Sequence, residues 1–282
     1  MTRAIDILCN DFTPNGIRKN YIENEEEHSR FEQVGRAHRV QSFEIPEFRN
    51  RMDKLGIEKV FIAAIKTWSV QSQALLEHTT TEEVIDIMKA APDCIYGLYG
   101  INVHRGMKDV SGLEQAVREN GFIGAHLHPH GYGYPPDHAY YFPFYAKCQE
   151  LGVPVIVSMG HTLDLMPIEP GRPIHLDKVA LYFQDLKIIC THTGWPWVEE
   201  AIAIAWKHPN VFLGTSAYTP KIWKPEMVKF IDTFGSDKCM WGTDFPLIDH
   251  RESLEQIKAL NLSESSMDKF LYSNAARVFG FD

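Results

Sequence analysis

Eight apolar runs rich in β-branched residues recur along the chain, and helix-like segments separate them. The runs cover residues 4–8, 59–65, 95–103, 122–128, 154–160, 187–192, 211–217 and 239–245. Their apolar character is nearly continuous rather than alternating, as in strands buried on both faces of a parallel sheet. Eight such strands predict an α/β fold of the (β/α)₈ barrel type. An open doubly wound sheet shares the alternation, but it needs no eighth strand and usually carries a glycine-rich phosphate loop, which the sequence lacks.

The segments between these runs have the composition of helices. They cover residues 81–91, 113–119, 141–151, 176–186, 197–207, 225–234, 251–260 and 263–278. Pro225 is well placed at a helix start, because the first turn needs no amide donor there. The 282 residues contain no internal repeat or clear linker. Since one barrel takes about 250 residues, we predict a single domain over 1–282.

Composition narrows the class of protein. Hydrophobic residues make up 44% and charged residues 23%, which is typical of soluble globular proteins. No apolar run approaches the ~18–20 residues that span a bilayer, and the first residues lack the apolar core of a signal peptide. The net charge of −9 argues against nucleic-acid binding, and the five cysteines form no CxxC pair. We therefore expect a cytoplasmic protein that binds a small molecule, not nucleic acid or a membrane.

Polar residues stand where several of the predicted strands end. His126 and His128 close the fourth run, His192 the sixth and Asp244 the eighth, while Asp6 lies inside the first. A buried ionisable side chain is costly unless it is paired or binds a metal. The carboxyl ends of barrel strands meet at one mouth, so these residues predict a polar site there. Imidazoles and carboxylates at such a site suit Zn²⁺, Mn²⁺ or Fe²⁺.

Other residues are weaker candidates for the same mouth. His104 ends the third run and His161 follows the fifth, and each is open between ligand, substrate contact and structural role. Ser158 is expected to line the pocket, and the lack of a GxSxG elbow argues against serine hydrolysis. Six other histidines are interpreted as surface residues: His28, His38, His78, His175, His208 and His250. The acidic cluster is interpreted as a solvated face: Glu23, Glu25, Glu26 and Glu27.

Long connections after the strands are expected to build the pocket and its lid. They cover residues 10–48, 61–80, 129–144 and 161–172. Aromatic residues that are candidates for the pocket wall, or else for the core, are Trp68, Tyr132, Tyr134, Trp195 and Trp197. Basic residues that are candidates for holding a substrate carboxylate, or else are surface charges, are Arg105, Arg172, Lys221 and Lys224.

Several motifs, taken in order, resemble one known superfamily. They are Pro154-Val-Ile-Val, Leu186-Lys-Ile-Ile-Cys-Thr-His-Thr-Gly194, Asn210-Val-Phe-Leu-Gly-Thr-Ser216, Trp241-Gly-Thr-Asp-Phe-Pro246 and Asn274-Ala-Ala-Arg-Val-Phe-Gly280. Together they look like the amidohydrolase superfamily, in the amidohydrolase-related branch that includes aminocarboxymuconate-semialdehyde decarboxylase and γ-resorcylate decarboxylase. The resemblance covers essentially the whole chain. It implies a metal-bearing TIM barrel of the metal-dependent-hydrolase type.

The ligand positions of that family are only partly present. The family's first strand usually ends in Asp-x-His-x-His, and here that stretch is Asp6-Ile-Leu-Cys-Asn10, so Leu8 and Asn10 replace both histidines. The strand-five histidine of the family falls at Ser158. His192 and Asp244 match the strand-six and strand-eight ligands, and His126 stands where relatives often have a lysine. The resemblance therefore implies an altered site, for which the candidate ligands are Asp6, His126, His192, Asp244, His104 and His161.

Three functions follow from this reading. The leading hypothesis is a metal-dependent enzyme, with one or two divalent ions, that hydrolyses or decarboxylates a small organic acid or amide. Asp244 is then a metal ligand or general base, His192 binds the metal or stabilises negative charge, and Ser158, Trp195 and Tyr132 contact the substrate. The alternatives are a dinuclear non-heme iron or iron–manganese oxygenase and a metal-free scaffold. The resemblance also suggests a homo-oligomer, often a dimer, or pairing with a homologous subunit.

Overall fold

The computed structural model describes residues 3–281, and its eight-stranded parallel sheet confirms the predicted barrel. The strands are β1 (Ala4–Cys9), β2 (Ile57–Ala63), β3 (Lys66–Ser69), β4 (Ala74–Glu77), β5 (Ile95–Gly100), β6 (Gly124–Leu127), β7 (Val155–Val157), β8 (Ile188–Cys190), β9 (Val211–Gly214) and β10 (Cys239–Met240). The sheet order is β1-β2-β5-β6-β7-β8-β9-β10, and all its pairs are parallel. The Ile7 amide donates to the Trp241 carbonyl at 3.2 Å and brings β10 back to β1.

One antiparallel hairpin was not anticipated. Strands β3 and β4 pair within the stretch that the sequence assigned to a loop, and they belong to a separate two-stranded sheet. Lys66 faces Glu77 and Ser69 faces Ala74 across the hairpin. The hairpin follows β2 directly, so it extends from the carboxyl end of a barrel strand and contributes to the wall above the mouth.

Helices follow most strands, as the sequence predicts. They are α1 (Pro14–Ile17), α2 (Glu25–Gln33), α3 (Ile45–Leu55), α4 (Thr81–Ala90), α5 (Met107–Asn120), α6 (Pro129–Tyr132), α7 (Phe142–Leu151), α8 (His175–Tyr182), α9 (Val198–Lys207), α10 (Pro225–Asp232), α11 (His250–Lys258), α12 (Glu264–Asp268) and α13 (Asn274–Phe279). Thr80 caps α4 through a reciprocal capping box with Glu83, and Pro225 opens α10. Within residues 3–281, no helix has the length and apolar character that crossing a membrane requires.

The hydrophobic core has two parts. Inward side chains of the strands, among them Ile5, Ile7 and Phe61, fill the barrel together with residues of α13. A larger cluster lies between the outer barrel wall and the surrounding helices. Burying one such side chain stabilises the fold by about 1.5–3 kcal/mol. Because α13 packs against the interior cluster, side chains close the barrel at the end away from the mouth.

The first strand departs from simple alternation. Ile5, Ile7 and Leu8 all belong to the interior cluster, and the pairing register of β1 with β2 shifts between Asp6 and Cys9. A bulge of this kind re-aims the side chains that follow it. Asp6, a candidate ligand at the mouth, therefore does not share a face with Leu8 and Asn10. Asp6 points outward to the helical layer, while Leu8 and Asn10 face the mouth.

Candidate functional site

A cavity of about 460 Å³ opens at the carboxyl ends of the strands. Residues at or just after strand ends line its floor: Leu8, Asn10, His126, His128, Ser158, His192 and Asp244. Residues of the long connections line its walls: Tyr21, Glu27, Phe31, Arg36, His78, His161, Asp164, Trp195 and Tyr218. A cavity of this size accommodates a small organic molecule.

The floor holds a chain of hydrogen-bonded side chains. His126 Nε2 lies 3.0 Å from Ser158 Oγ, and His192 Nε2 lies 3.3 Å from the same hydroxyl. His192 Nδ1 in turn lies 2.9 Å from Ser216 Oγ. A hydroxyl donates one proton and accepts others, so Ser158 links the two imidazoles and fixes their orientation.

The two imidazoles that Ser158 links, His126 and His192, are neutral at physiological pH. Burial, together with the nearby His192, lowers the pKa of His126 to about 3. Burial likewise lowers the pKa of His192 to about 4. A neutral imidazole offers one donor and one acceptor nitrogen. The pair can therefore hydrogen-bond a polar substrate group without adding charge to the cavity.

Asp244 is the carboxyl group of the floor. Asn10 Nδ2 donates to Asp244 Oδ1 at 3.0 Å and to its backbone carbonyl at 3.2 Å. Asp244 is half-buried at the base of the cavity, and loss of solvation there raises the pKa of its carboxyl group to about 7. At neutral pH the group is therefore present in both its protonated and ionised forms. A carboxyl group with such a pKa can either accept or donate a proton near neutral pH.

Two of these residues have a left-handed backbone. The φ angle is +61° at Asp244 and +58° at His192. Residues other than glycine adopt this left-handed backbone region at a cost of about 1–3 kcal/mol. Such residues cluster at functional sites. The backbone of both residues thus turns sharply as it leaves its strand, where the side chain faces the cavity.

Asp6 lies apart from this group. Its carboxylate accepts from the Leu8 amide at 3.1 Å and from the Thr243 amide at 3.0 Å. It also accepts from the Thr243 hydroxyl and from His250 Nε2, the latter at 3.0 Å. Asp6 and His250 are fully buried, and neither is among the residues that line the cavity. Asp6 therefore ties β1 to the segment after β10 and to α11.

Cys9 completes a small buried cluster with Asp6 and His250. Their donor atoms all lie within 4.8 Å of one another, and Cys9 Sγ is 3.7 Å from His250 Nε2. Burial raises the pKa of the Cys9 thiol well above its usual value, so the thiol is neutral. Because protein donors already occupy both oxygens of Asp6, the cluster is best described as a structural hydrogen-bond network.

Two further predicted residues lie outside the cavity lining. His104 packs edge-on against Trp68 and Tyr132, with ring centroids 5.2 and 5.1 Å away. The buried Tyr132 hydroxyl donates to the Ile101 carbonyl at 3.1 Å. In contrast, His161 and Trp195 line the cavity and pack against each other at 5.3 Å.

The surface reading of several histidines is wrong. His250 is fully buried. His208 is also buried, and its Nε2 lies 2.7 Å from Asp177 Oδ1. His78 lines the cavity, and its Nε2 lies 3.9 Å from Glu27 Oε1. These partners come from distant parts of the sequence, so local composition gave no sign of them.

The reading of the acidic cluster as a solvated face is also wrong in part. Glu23 and Glu25 are exposed, whereas Glu27 is buried and lines the cavity. Arg30, one turn later on α2, is 5% exposed and pairs with Asp164, which is also a lining residue. The i, i+3 spacing of Glu27 and Arg30 was a weak sequence signal for such a network.

Arg36 is the basic residue that faces the cavity. Its guanidinium donates to the Leu247 carbonyl at 3.4 Å and has no carboxylate within 4 Å among residues 3–281. The Leu247 amide donates to the Asp244 carbonyl at 2.9 Å, so Arg36 is anchored to the turn that carries Asp244. The basic residues named from sequence do not line the cavity, and Arg172 instead pairs with Glu200 at 2.6 Å.

The mouth does not fit the complete metal site that the family resemblance implies. Within the described chain, no three His, Cys, Asp or Glu donors at the mouth lie within 4.8 Å of one another. Ser158 bridges His126 and His192, and the Asn10 amide occupies one oxygen of Asp244. Zinc sites require three or four converging ligands. Proton transfer at the mouth therefore falls to the protein's own side chains.

Comparison with solved structures gives the same barrel. An uncharacterised TIM-barrel protein from Bordetella bronchiseptica is 23% identical, with a TM-score of 0.78 over 99% of this chain and 98% of that chain. A 2,6-dihydroxybenzoate decarboxylase from Rhizobium is 17% identical, with a TM-score of 0.71 over the whole of both chains. A 5-carboxyvanillate decarboxylase from Novosphingobium aromaticivorans, with bound manganese and a nitrobenzoic acid, is 17% identical and has a TM-score of 0.71 over 99% and 96%.

The sequence comparisons give the family. No curated protein matches the chain significantly. The amidohydrolase family model matches residues 62–281, which is well over half of the chain. The match includes the strand-end residues His126, Ser158, His192 and Asp244. The chain therefore belongs to the amidohydrolase family.

Proposed function

We propose that this protein is an enzyme that hydrolyses or decarboxylates a small organic acid in the cavity at the mouth of the barrel. The observation that carries the proposal is Asp244, a cavity-lining carboxyl group whose pKa burial raises to about 7. A general acid or base works best when its pKa lies near the operating pH. Perturbed carboxyl groups of this kind are concentrated in active sites.

The Arg36 guanidinium favours a substrate that carries a carboxylate. Arg36 has no carboxylate partner within the described chain, and a partly buried guanidinium gains most from a bidentate anion. Its attachment to the Asp244 turn would hold a substrate carboxylate near the reacting group. The aromatic rings of Tyr21, Trp195 and Tyr218 line the same cavity and suit a planar, partly apolar substrate.

Each group on the floor has a role in this proposal. In hydrolysis, the ionised Asp244 takes a proton from water as the water oxygen attacks the substrate carbonyl. In decarboxylation, the protonated Asp244 gives its proton to the carbon that loses CO₂. In both reactions, the neutral His126–Ser158–His192 chain orients the substrate by hydrogen bonds and accommodates developing negative charge.

A divalent metal is supported by a structural neighbour that binds manganese. In this chain His126, His192 and Asp244 keep donor side chains at the ligand positions of the family, but these donors do not converge as a metal site requires. Leu8, Asn10 and Ser158 contribute no family ligand. Elemental analysis of protein purified without chelator measures the metal content directly, and manganese added to chelated protein tests whether activity depends on it.

Turnover of defined probes tests the proposal. Decarboxylation is followed as CO₂ release from 2,6-dihydroxybenzoate and 5-carboxyvanillate, the acids named for two structural neighbours. Hydrolysis is followed with amides and lactones of hydroxybenzoic acids. Among the hydrolysis probes, we expect faster turnover of amides that carry a free carboxylate on the ring than of the same amides with that carboxylate removed, because Arg36 would then lack an anion. Absence of turnover across both series, with and without manganese, would contradict the proposal.

A further inference from the structure

The wall of the cavity carries a pair of carboxyl groups. Glu27 lies on α2 and Asp164 on the connection after β7, and both line the cavity. The Arg30 guanidinium hydrogen-bonds to Asp164, whereas its Nη1 is 3.7 Å from Glu27 Oε1. The Thr162 hydroxyl also donates to Asp164 Oδ2 at 3.0 Å. Asp164 therefore has the better set of donors for a carboxylate.

The surrounding charges leave Glu27 without a cation of its own. Arg30, which lies on the same helix as Glu27, also approaches Glu26, with its Nη2 3.7 Å from Glu26 Oε2. From the neighbouring segments, His78 Nε2 lies 3.9 Å away and Asp164 adds a negative charge. Two buried carboxylates that share one guanidinium are costly, so one of the pair is expected to keep its proton.

The electrostatics agree with this geometry. Burial, followed by the charge of Asp164, raises the pKa of Glu27 well above its usual value. Burial acts in the same direction on Asp164, but His128, Glu27 and Arg30 outweigh it and lower the pKa of that carboxyl to about 2. Neighbouring carboxyl groups whose environments push their pKa values apart are the usual arrangement of a catalytic acid beside a base.

Tyr21, Glu27 and Asp244 line the same cavity. Burial raises the pKa of the Tyr21 phenol, and the next contributions come from Asp244 and then Glu27. Both carboxyl groups also line the one cavity, Asp244 from the floor and Glu27 from α2. A substrate held between them would meet a proton acceptor on one side and a proton donor on the other.

We propose that Glu27 is a second catalytic residue, the general acid of a hydrolysis in which Asp244 is the base. This inference rests on the proposed function and narrows it to hydrolysis. Asp244 takes a proton from water as the water oxygen bonds to the substrate carbonyl carbon. The Glu27 hydroxyl gives its proton to the leaving nitrogen or oxygen as that atom separates from carbon. Asp244 then loses a proton to solvent and Glu27 regains one, which restores the starting state.

Glu27→Gln tests the inference, with Glu26→Gln as the matched control. Glu26 lies next to Glu27 on the same helix and accepts from Ser69, but it is not among the cavity-lining residues. We expect Glu27→Gln to lower kcat for hydrolysis about 10²–10⁴-fold, the usual contribution of a general acid. The decline in rate at high pH should disappear as well, because it reports deprotonation of Glu27. Glu27→Asp should keep that decline, and Glu26→Gln should match the wild type.

A spectroscopic measurement supplies a readout that a purely structural role would not move. Infrared difference spectra recorded well above pH 7, where Asp244 is ionised, should contain the band of a buried carboxylic acid. The band should be present in the wild type and in Glu26→Gln and absent from Glu27→Gln. Its absence from the wild type would overturn the inference.

The kinetic outcomes separate the inference from the function on which it rests. A wild type that hydrolyses its probe, with Glu27→Gln equally fast and retaining the decline at high pH, overturns the role of Glu27 alone. A wild type that only decarboxylates overturns the assignment to hydrolysis and leaves the proposed function in place. A wild type that turns over no probe overturns both.

Discussion

Asp6→Asn should destabilise the barrel, because Asp6 is a structural acceptor and not part of the mouth. Its two oxygens accept four hydrogen bonds, from the Leu8 and Thr243 amides, the Thr243 hydroxyl and His250 Nε2. Asparagine keeps one acceptor oxygen and turns an NH₂ group toward two of these donors. Hydrogen bonds to a charged group contribute about 1.5–3 kcal/mol each. Losing two of them, in a fully buried site, gives an expected loss of about 3–5 kcal/mol.

Urea unfolding followed by tryptophan fluorescence measures this loss. The control is Asp93→Asn, which removes an exposed pair with Arg49 and should cost at most about 1 kcal/mol. Chelator should change the unfolding midpoints of the wild type and of Asp6→Asn by the same amount, because protein donors already occupy Asp6. An Asp6→Asn midpoint equal to that of the control, or a chelator effect that Asp6→Asn abolishes, would refute the structural role.

The remaining predictions concern the floor and wall of the cavity. In chelated protein, burial raises the pKa of Asp244 to about 7, so the folded state binds a proton that the unfolded state releases near pH 4. Stability should therefore fall as pH rises from about 4 to 7. Thermal unfolding above pH 7 should show Asp244→Asn to be more stable than the wild type, and an equal or lower midpoint would contradict this. Arg36→Gln should raise KM for carboxylate probes at least about 10-fold, since a charge-assisted pair contributes about 1.5–3 kcal/mol. Arg39→Gln, which removes an exposed pair with Glu252, should leave KM unchanged, and equal KM values for the two variants would rule out Arg36 as the anion site.

The sequence was sufficient for the barrel because its evidence is local. Near-continuous apolar runs and the helices between them identify each strand without knowledge of its partners. The same logic placed His126, His192 and Asp244 at the mouth, where all three line the cavity. Residues that follow a regular strand end were thus predictable from position alone.

The remaining details of the candidate site depend on contacts between distant segments. The register shift after Asp6 places Leu8 on the inner side of β1 while Asp6 faces the helices, and the sequence of the strand gives no sign of that shift. Glu27 becomes a cavity residue only because α2 folds back over the barrel and meets Asp164, which is 137 positions later in the chain. A charge run read by itself looks solvated, so this pairing was missed.

The proposed function depends on proton exchange between Asp244 and a substrate in the mouth cavity. The most direct measurement compares the turnover rates of Asp244→Asn and the wild type at pH 7, on the carboxylate probe that the wild type turns over fastest. Asp237→Asn, which changes an exposed carboxyl group paired with Lys269, is the control. We predict a loss of about 10²–10⁴-fold for Asp244→Asn, with unchanged folding, and none for the control. A rate for Asp244→Asn equal to that of the wild type would contradict the account.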